Sequence, residues 1–120
     1  MFKIVFYKKP NGDEPAITHL NMLLPRMRAK VLRNMSLLQE RGNLLRYPET
    51  DDLGNGIFEL RTSLGGDMER ALFFYAEHRV IVITHGFIKK TRKTPRQEIE
   101  RAKQYRADYY AQRKAENDNS

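Results

Sequence analysis

The chain contains no cysteine and no tryptophan. Without thiols there is no disulfide and no thiolate metal site, and a reducing, cytoplasmic setting is expected. Histidine is scarce, present only at positions 19, 78 and 85, and without the H-E-x-x-H spacing of a metalloprotease. No G-x-x-x-x-G-K-[ST] phosphate loop occurs either. No apolar run approaches the roughly 20 residues needed to span a bilayer, so no membrane partner is expected. The apolar part of MFKIVFYKK is too short for a secretion signal and reads as a strand. Acidic residues are outnumbered: 15 Asp and Glu face 22 Lys and Arg, for a net charge of +7. That excess suits nucleic acid, an acidic protein or an anionic surface.

What is present fits one domain. The 120 residues are 40% hydrophobic and 31% charged, a soluble, globular balance. A domain of this size buries about two-thirds of its unfolded surface, enough for a core. Residues 2–7 alternate as a first strand, with Phe2, Ile4 and Phe6 on one face. A turn follows, then Asp13 as N-cap and Pro15 near the start of a short helix carrying Ile17, Leu20 and Leu24. Pro25 opens a second helix reaching Arg41, with Met27, Val31, Met35 and Leu38 at helical spacing and Gly42 as its stop. The two helices are expected to form a hairpin on the sheet.

Residues 43–55 read as a loop, and its acids Glu49, Asp51 and Asp52 read as solvated charges outside any cationic cluster. Strands are expected at 56–63, 68–76 and 79–88, joined by Gly65-Gly66-Asp67 and Glu77-His78 as an antiparallel meander. Thr94 is then placed as the cap of a last helix, with Pro95 at its first position and a weak stripe of Ile99, Ala102, Tyr105 and Tyr109. The tail from about 112 is polar and expected to fray. The order predicts an α+β domain over residues 1–120.

Its centre of interest is VIVITHGFIKKTRKTPR at 80–96. A β-branched run favours a strand buried on both faces. That strand then delivers the chain into Lys89, Lys90, Arg92, Lys93 and Arg96, an edge suited to a polyanion.

GIFELR at 56–61, Arg70, and HGFIKKTRKTP at 85–95 together resemble the HigB-like, phage-related branch of the RelE/ParE toxin superfamily. In layout the resemblance spans nearly the whole chain. It implies a small twisted antiparallel sheet with an N-terminal helical hairpin and a C-terminal helix. It also implies the toxin of a type II toxin–antitoxin system. Many such toxins cut mRNA in the ribosomal decoding site, whereas ParE-like members poison DNA gyrase. A plain RNA-binding module is a third possibility. The implied partners are mRNA, the ribosome and a helix-turn-helix, HigA-like antitoxin. No cofactor and no metal are implied.

Metal-free RNA cleavage uses the neighbouring 2′-hydroxyl as nucleophile and needs preplaced cations for the charge that develops on phosphate. Arg binds phosphate with a planar fork, and a crowded Lys can lose its proton and serve as base. The resemblance therefore assigns chemistry to Arg61, Arg70, Lys89, Lys90 and Lys93. For Arg61 the plainer alternative is a surface cation paired with Glu59 on the same strand face. For the lysines it is a solvated basic edge. Arg92 and Arg96 would position the RNA backbone. His85 and Phe87 could contact RNA, Phe87 by stacking on a splayed base. Each could equally be packed in the core.

Overall fold

The computed structural model describes residues 1–119. Its elements are β1 (Lys3–Phe6), α1 (Pro15–Met22), α2 (Pro25–Arg41), a 3-10 turn (Gly42–Leu44), β2 (Thr50–Asp52), β3 (Phe58–Leu64), β4 (Asp67–Ala76), β5 (Val80–Lys89) and α3 (Arg96–Asp118). The strands form one sheet in the order β1-β5-β4-β3-β2.

Alternation along the strands divides the core into two layers. Leu60, Ala71, Phe73, Ile81 and Ile83 meet Leu20 of α1 and the α2 stripe Met27, Val31, Met35 and Leu38. On the opposite face Ile57, Leu72, Phe74 and Val82 meet Ala102, Tyr105 and Tyr109 of α3. β5 is covered on both faces, as its β-branched run requires. Gly42 ends α2 at φ +55°, and the Phe2 ring occupies the space that a Cβ would need there.

Several expectations need correction. The sheet is mixed rather than antiparallel, because β1 lies parallel to β5, with Lys3 opposite Val80 and Phe6 opposite Ile83. The expected loop contains a fifth strand: β2 adds to the sheet edge, setting Thr50 opposite Leu60 and Asp51 opposite Glu59. α1 is capped by Glu14, not Asp13, and without a side-chain bond. Thr94 does not cap α3, which follows Pro95 directly. The tail does not fray at 112, since α3 continues to Asp118 through a sequence of good helix formers.

One irregularity positions the site. Leu72 pairs with His85 but Phe73 pairs with Ile83, so Thr84 is an extra residue in β5. Its hydroxyl donates to the Leu72 carbonyl at 3.1 Å. This bulge shifts the alternation by one. Upstream of it Val82 faces α3; downstream His85, Phe87 and Lys89 face the same side. An unbroken strand would have turned Gly86 and Ile88 there instead.

Candidate nucleic-acid interface

Three cross-strand rows build the site on the α3 face. Arg61 lies opposite Arg70, and Arg70 opposite Phe87. One row further from the core stand Ser63, Met68 and Lys89; one row nearer stand Glu59, Leu72 and His85. Directly opposed arginines repel. Glu59, itself 1% exposed, relieves that repulsion. One of its oxygens lies 3.0 Å from Arg61 Nη1 and 3.5 Å from Arg70 Nε. Its other oxygen accepts from the Thr94 hydroxyl, tying the turn before α3 to the cluster.

Arg70 is only 1% exposed. Its Nη1 donates to the Glu69 carbonyl at 2.8 Å, and its Nε has no hydrogen-bond partner among the described residues. Burial lowers its pKa from the usual arginine value, and the Arg61 charge lowers it further. Lys89 is 7% exposed, so it is not part of a solvated basic edge. Burial lowers its pKa as well, with Arg70 the next contributor. Arg61 is partly exposed, and Lys90, Arg92, Lys93 and Arg96 project into solvent from the turn and the start of α3. The arrangement is thus a buried positive floor, one half-open arginine, and a rim of exposed cations.

His85 is buried. Its Nδ1 is 3.1 Å from the Thr84 hydroxyl and its Nε2 is 3.1 Å from Glu98 Oε1. Burial pushes its pKa down, while the nearby Glu98 carboxylate opposes this. With both ring nitrogens engaged, His85 holds α3 on the sheet and leaves no nitrogen for RNA. Phe87 is half-buried against the α3 layer, its ring 6.1 Å from the His85 ring.

Three features were not read from the sequence. On the opposite face of β4, buried Glu69 accepts or shares a hydrogen bond with His19 Nε2 at 2.8 Å. Burial raises the Glu69 pKa, and Oε1 has no hydrogen-bond partner among the described residues. Gly86 makes this possible: a Cβ there would lie 2.7 Å from His19 Nε2 and 3.1 Å from the Arg70 carbonyl oxygen. The available signal was Glu69 at a core-facing position of an apolar strand. Second, Arg61 lies 5.1 Å over the ring of Tyr47. Third, Asp51 does not stand apart from the cations, because β2 sets it opposite Glu59 and its charge acts on both Arg70 and Lys89. No group of three or more His, Asp or Glu among the described residues could hold a metal ion. No described helix is long and apolar enough to cross a membrane.

No curated protein matches the sequence. One family model does, that of the phage-derived Gp49-like proteins (DUF891), over residues 18–107. The matched span runs from α1 into α3 and takes in every strand from β2 to β5 and the whole cationic cluster. By that match the chain belongs to the phage-derived Gp49-like family, a RelE-like and often toxin-like group.

Proposed function

We propose that this protein is the toxin of a type II toxin–antitoxin pair, of the HigB-like kind, and a metal-independent endoribonuclease acting on mRNA at the ribosome. The observation that carries the proposal is the buried Arg70–Lys89 floor beneath half-open Arg61. Burying cations is costly, and a site that must hold extra negative charge on phosphate gains most from charges already fixed in a water-poor setting.

In this reading the Arg61 fork holds the two non-bridging phosphate oxygens. Lys89 enters as the neutral amine that burial favours, accepts the proton of the 2′-hydroxyl, and so becomes the second buried cation of the floor as charge builds on phosphate. The 2′ oxygen bonds to phosphorus and the bond to the 5′ oxygen breaks. That oxygen takes a proton from the Lys90 or Lys93 ammonium, leaving a 2′,3′-cyclic phosphate and a 5′-hydroxyl. Arg70 is a positioning residue that keeps the field positive from below. Arg92 and Arg96 hold the flanking RNA backbone. A neighbouring gene would encode a helix-turn-helix antitoxin that covers this basic face in the cytoplasm.

Mapping mRNA 5′ ends after brief induction, beside a gyrase supercoiling assay, tests the proposal. New 5′ ends in codons under translation support it. Blocked supercoiling with intact mRNA would replace it with a ParE-like reading.

A further inference from the structure

Arg61 is held in two different ways. Its Nη1 lies 3.0 Å from Glu59 Oε2, and its Cζ lies 5.1 Å from the centre of the Tyr47 ring. No hydrogen bond among the described residues engages its Nε or Nη2. Those N–H groups share one edge of the guanidinium and form the side-on fork that takes paired phosphate oxygens. The ion pair uses Nη1 and leaves that fork whole. It does not by itself aim it. The Arg61 side chain is 23% exposed, so water competes for the pair. A single anchor also lets the guanidinium plane turn, and a long side chain samples many orientations unless more holds it. An aromatic face supplies the missing restraint: it fixes the plane and leaves the edges free.

The main chain sets Tyr47 in place for this. The Glu49 and Thr50 N–H groups donate to the Arg46 carbonyl at 3.0 and 3.2 Å, closing the turn that carries Tyr47. The Thr50 hydroxyl donates to the Leu45 carbonyl at 2.7 Å. The Glu49 carbonyl then accepts the N–H of Arg61 itself at 2.8 Å. Backbone bonds thus pin the turn and the arginine to each other. Tyr47 is nonetheless 69% exposed, so its ring is not there to fill the core.

We infer that Tyr47 is a positioning residue, whose ring holds the Arg61 guanidinium so that its Nε–Nη2 edge is ready for a phosphate of the RNA. This rests on the RNA reading above and adds to it a residue that acts through Arg61. The gain lies in pre-organisation: a donor already oriented loses little freedom when the transition state forms. Substrate binding as a whole draws on the other cations of the face and does not need the ring. The hydroxyl of Tyr47 has no part in the argument, so phenylalanine and tryptophan serve as well.

The test combines single-turnover mRNA cleavage with nuclear magnetic resonance of the arginine Nε–H groups, both on the full chain. Tyr47→Leu should slow cleavage about tenfold at saturation, with the half-saturating concentration and the melting temperature unchanged. Tyr47→Phe and Tyr47→Trp should retain the wild-type rate. In an Arg61→Ala background Tyr47→Leu should cost nothing further, because the ring acts only through Arg61. The Arg61 Nε–H resonance, identified by its loss in Arg61→Ala, should move downfield in Tyr47→Leu as the ring current disappears, and stay in place in Tyr47→Phe. A wild-type rate in Tyr47→Leu, an equal loss in the Arg61→Ala background, or an unmoved resonance overturns the inference. Should the wild type cleave no RNA, the nuclease reading falls and single-stranded oligodeoxyuridine decides the rest. A shift of the Arg61 resonance on its addition in wild type, with none in Tyr47→Leu, keeps the positioning role. Equal shifts in both, or none in either, overturn it.

Discussion

Replacing Glu59 by Gln keeps the shape of the side chain and removes the charge on which the cluster is built. Two cations depend on it unequally. Arg61 is partly exposed and can turn to water, so its 3.0 Å pair contributes about 0–1 kcal/mol. Arg70, 1% exposed, has nowhere to go. Breaking a buried pair from one side costs about 3–5 kcal/mol, because the remaining charge stays desolvated. At an unfolding entropy of about 2.1 cal/mol/K per residue, a chain of this length loses about 4 °C of Tm per kcal/mol. Glu59→Gln should therefore melt about 12–20 °C below wild type by circular dichroism. Adding Arg70→Met removes the stranded charge and should restore at least half of that loss. If Glu59→Gln melts within about 4 °C of wild type, or Arg70→Met deepens the loss, Arg70 does not rely on Glu59 and the account of the cluster fails.

Arg61→Ala and Lys90→Ala should each slow single-turnover mRNA cleavage by about two to three powers of ten with normal melting, while Arg113→Ala changes little and Arg61→Lys is impaired for want of the fork; wild-type rates in both alanine variants would move the active site elsewhere. Gly86→Ala pushes a methyl into His19 and the Arg70 carbonyl, costing about 1–3 kcal/mol by chemical denaturation, and an unchanged midpoint would show that His19 has room to move. Since the folded-state pKa of Lys89 lies below 10.5, the unfolded chain binds more protons between those two values. Stability contributed by Lys89 therefore rises with pH through that window and is flat in Lys89→Met. A base at Lys89 also predicts a cleavage rate that climbs with pH toward the same depressed pKa, and a rate independent of pH there argues for another base. Cleavage should persist in excess chelator in a ribosome-free assay; loss that is restored by stoichiometric protein-bound metal would contradict the metal-free chemistry.

Local signals carried the helices and the meander. Pro25, the stripe Met27–Val31–Met35–Leu38 and Gly42 bound α2 where the sequence places it, because caps and periodicity act within a few residues. What escaped depends on distant partners. β2 is three polar residues whose strand character comes from pairing with β3. Nothing local tells β1 to run beside β5, and parallel neighbours are not adjacent in sequence. The Thr84 bulge is silent too, since VIVITHGF reads equally well as an unbroken strand. Of the candidate site, the Arg61–Glu59 pair followed from strand alternation, and the Gly65-Gly66 turn brought Arg70 near. That Arg70 and Lys89 are buried, and that His85 is committed to Thr84 and Glu98, are tertiary outcomes that no local pattern carries. Tyr47 and Asp51 were hidden in what looked like an ordinary polar loop.

The parallel pairing of β1 with β5 bears on how the molecule comes into being. Lys3 finds its partner only when Val80 has been made, and Glu59 meets Thr94 later still. During synthesis β1 must wait as an unpaired strand while both N-terminal helices and most of the sheet are completed, and such long-range closure is slow. β5 then joins β1 to the β2–β4 part of the sheet, and α3 covers His85 through Glu98 after that. A chain stopped before Thr94 thus lacks the hydroxyl that ties the turn to Glu59, and in the reading proposed here it cannot yet harm translation.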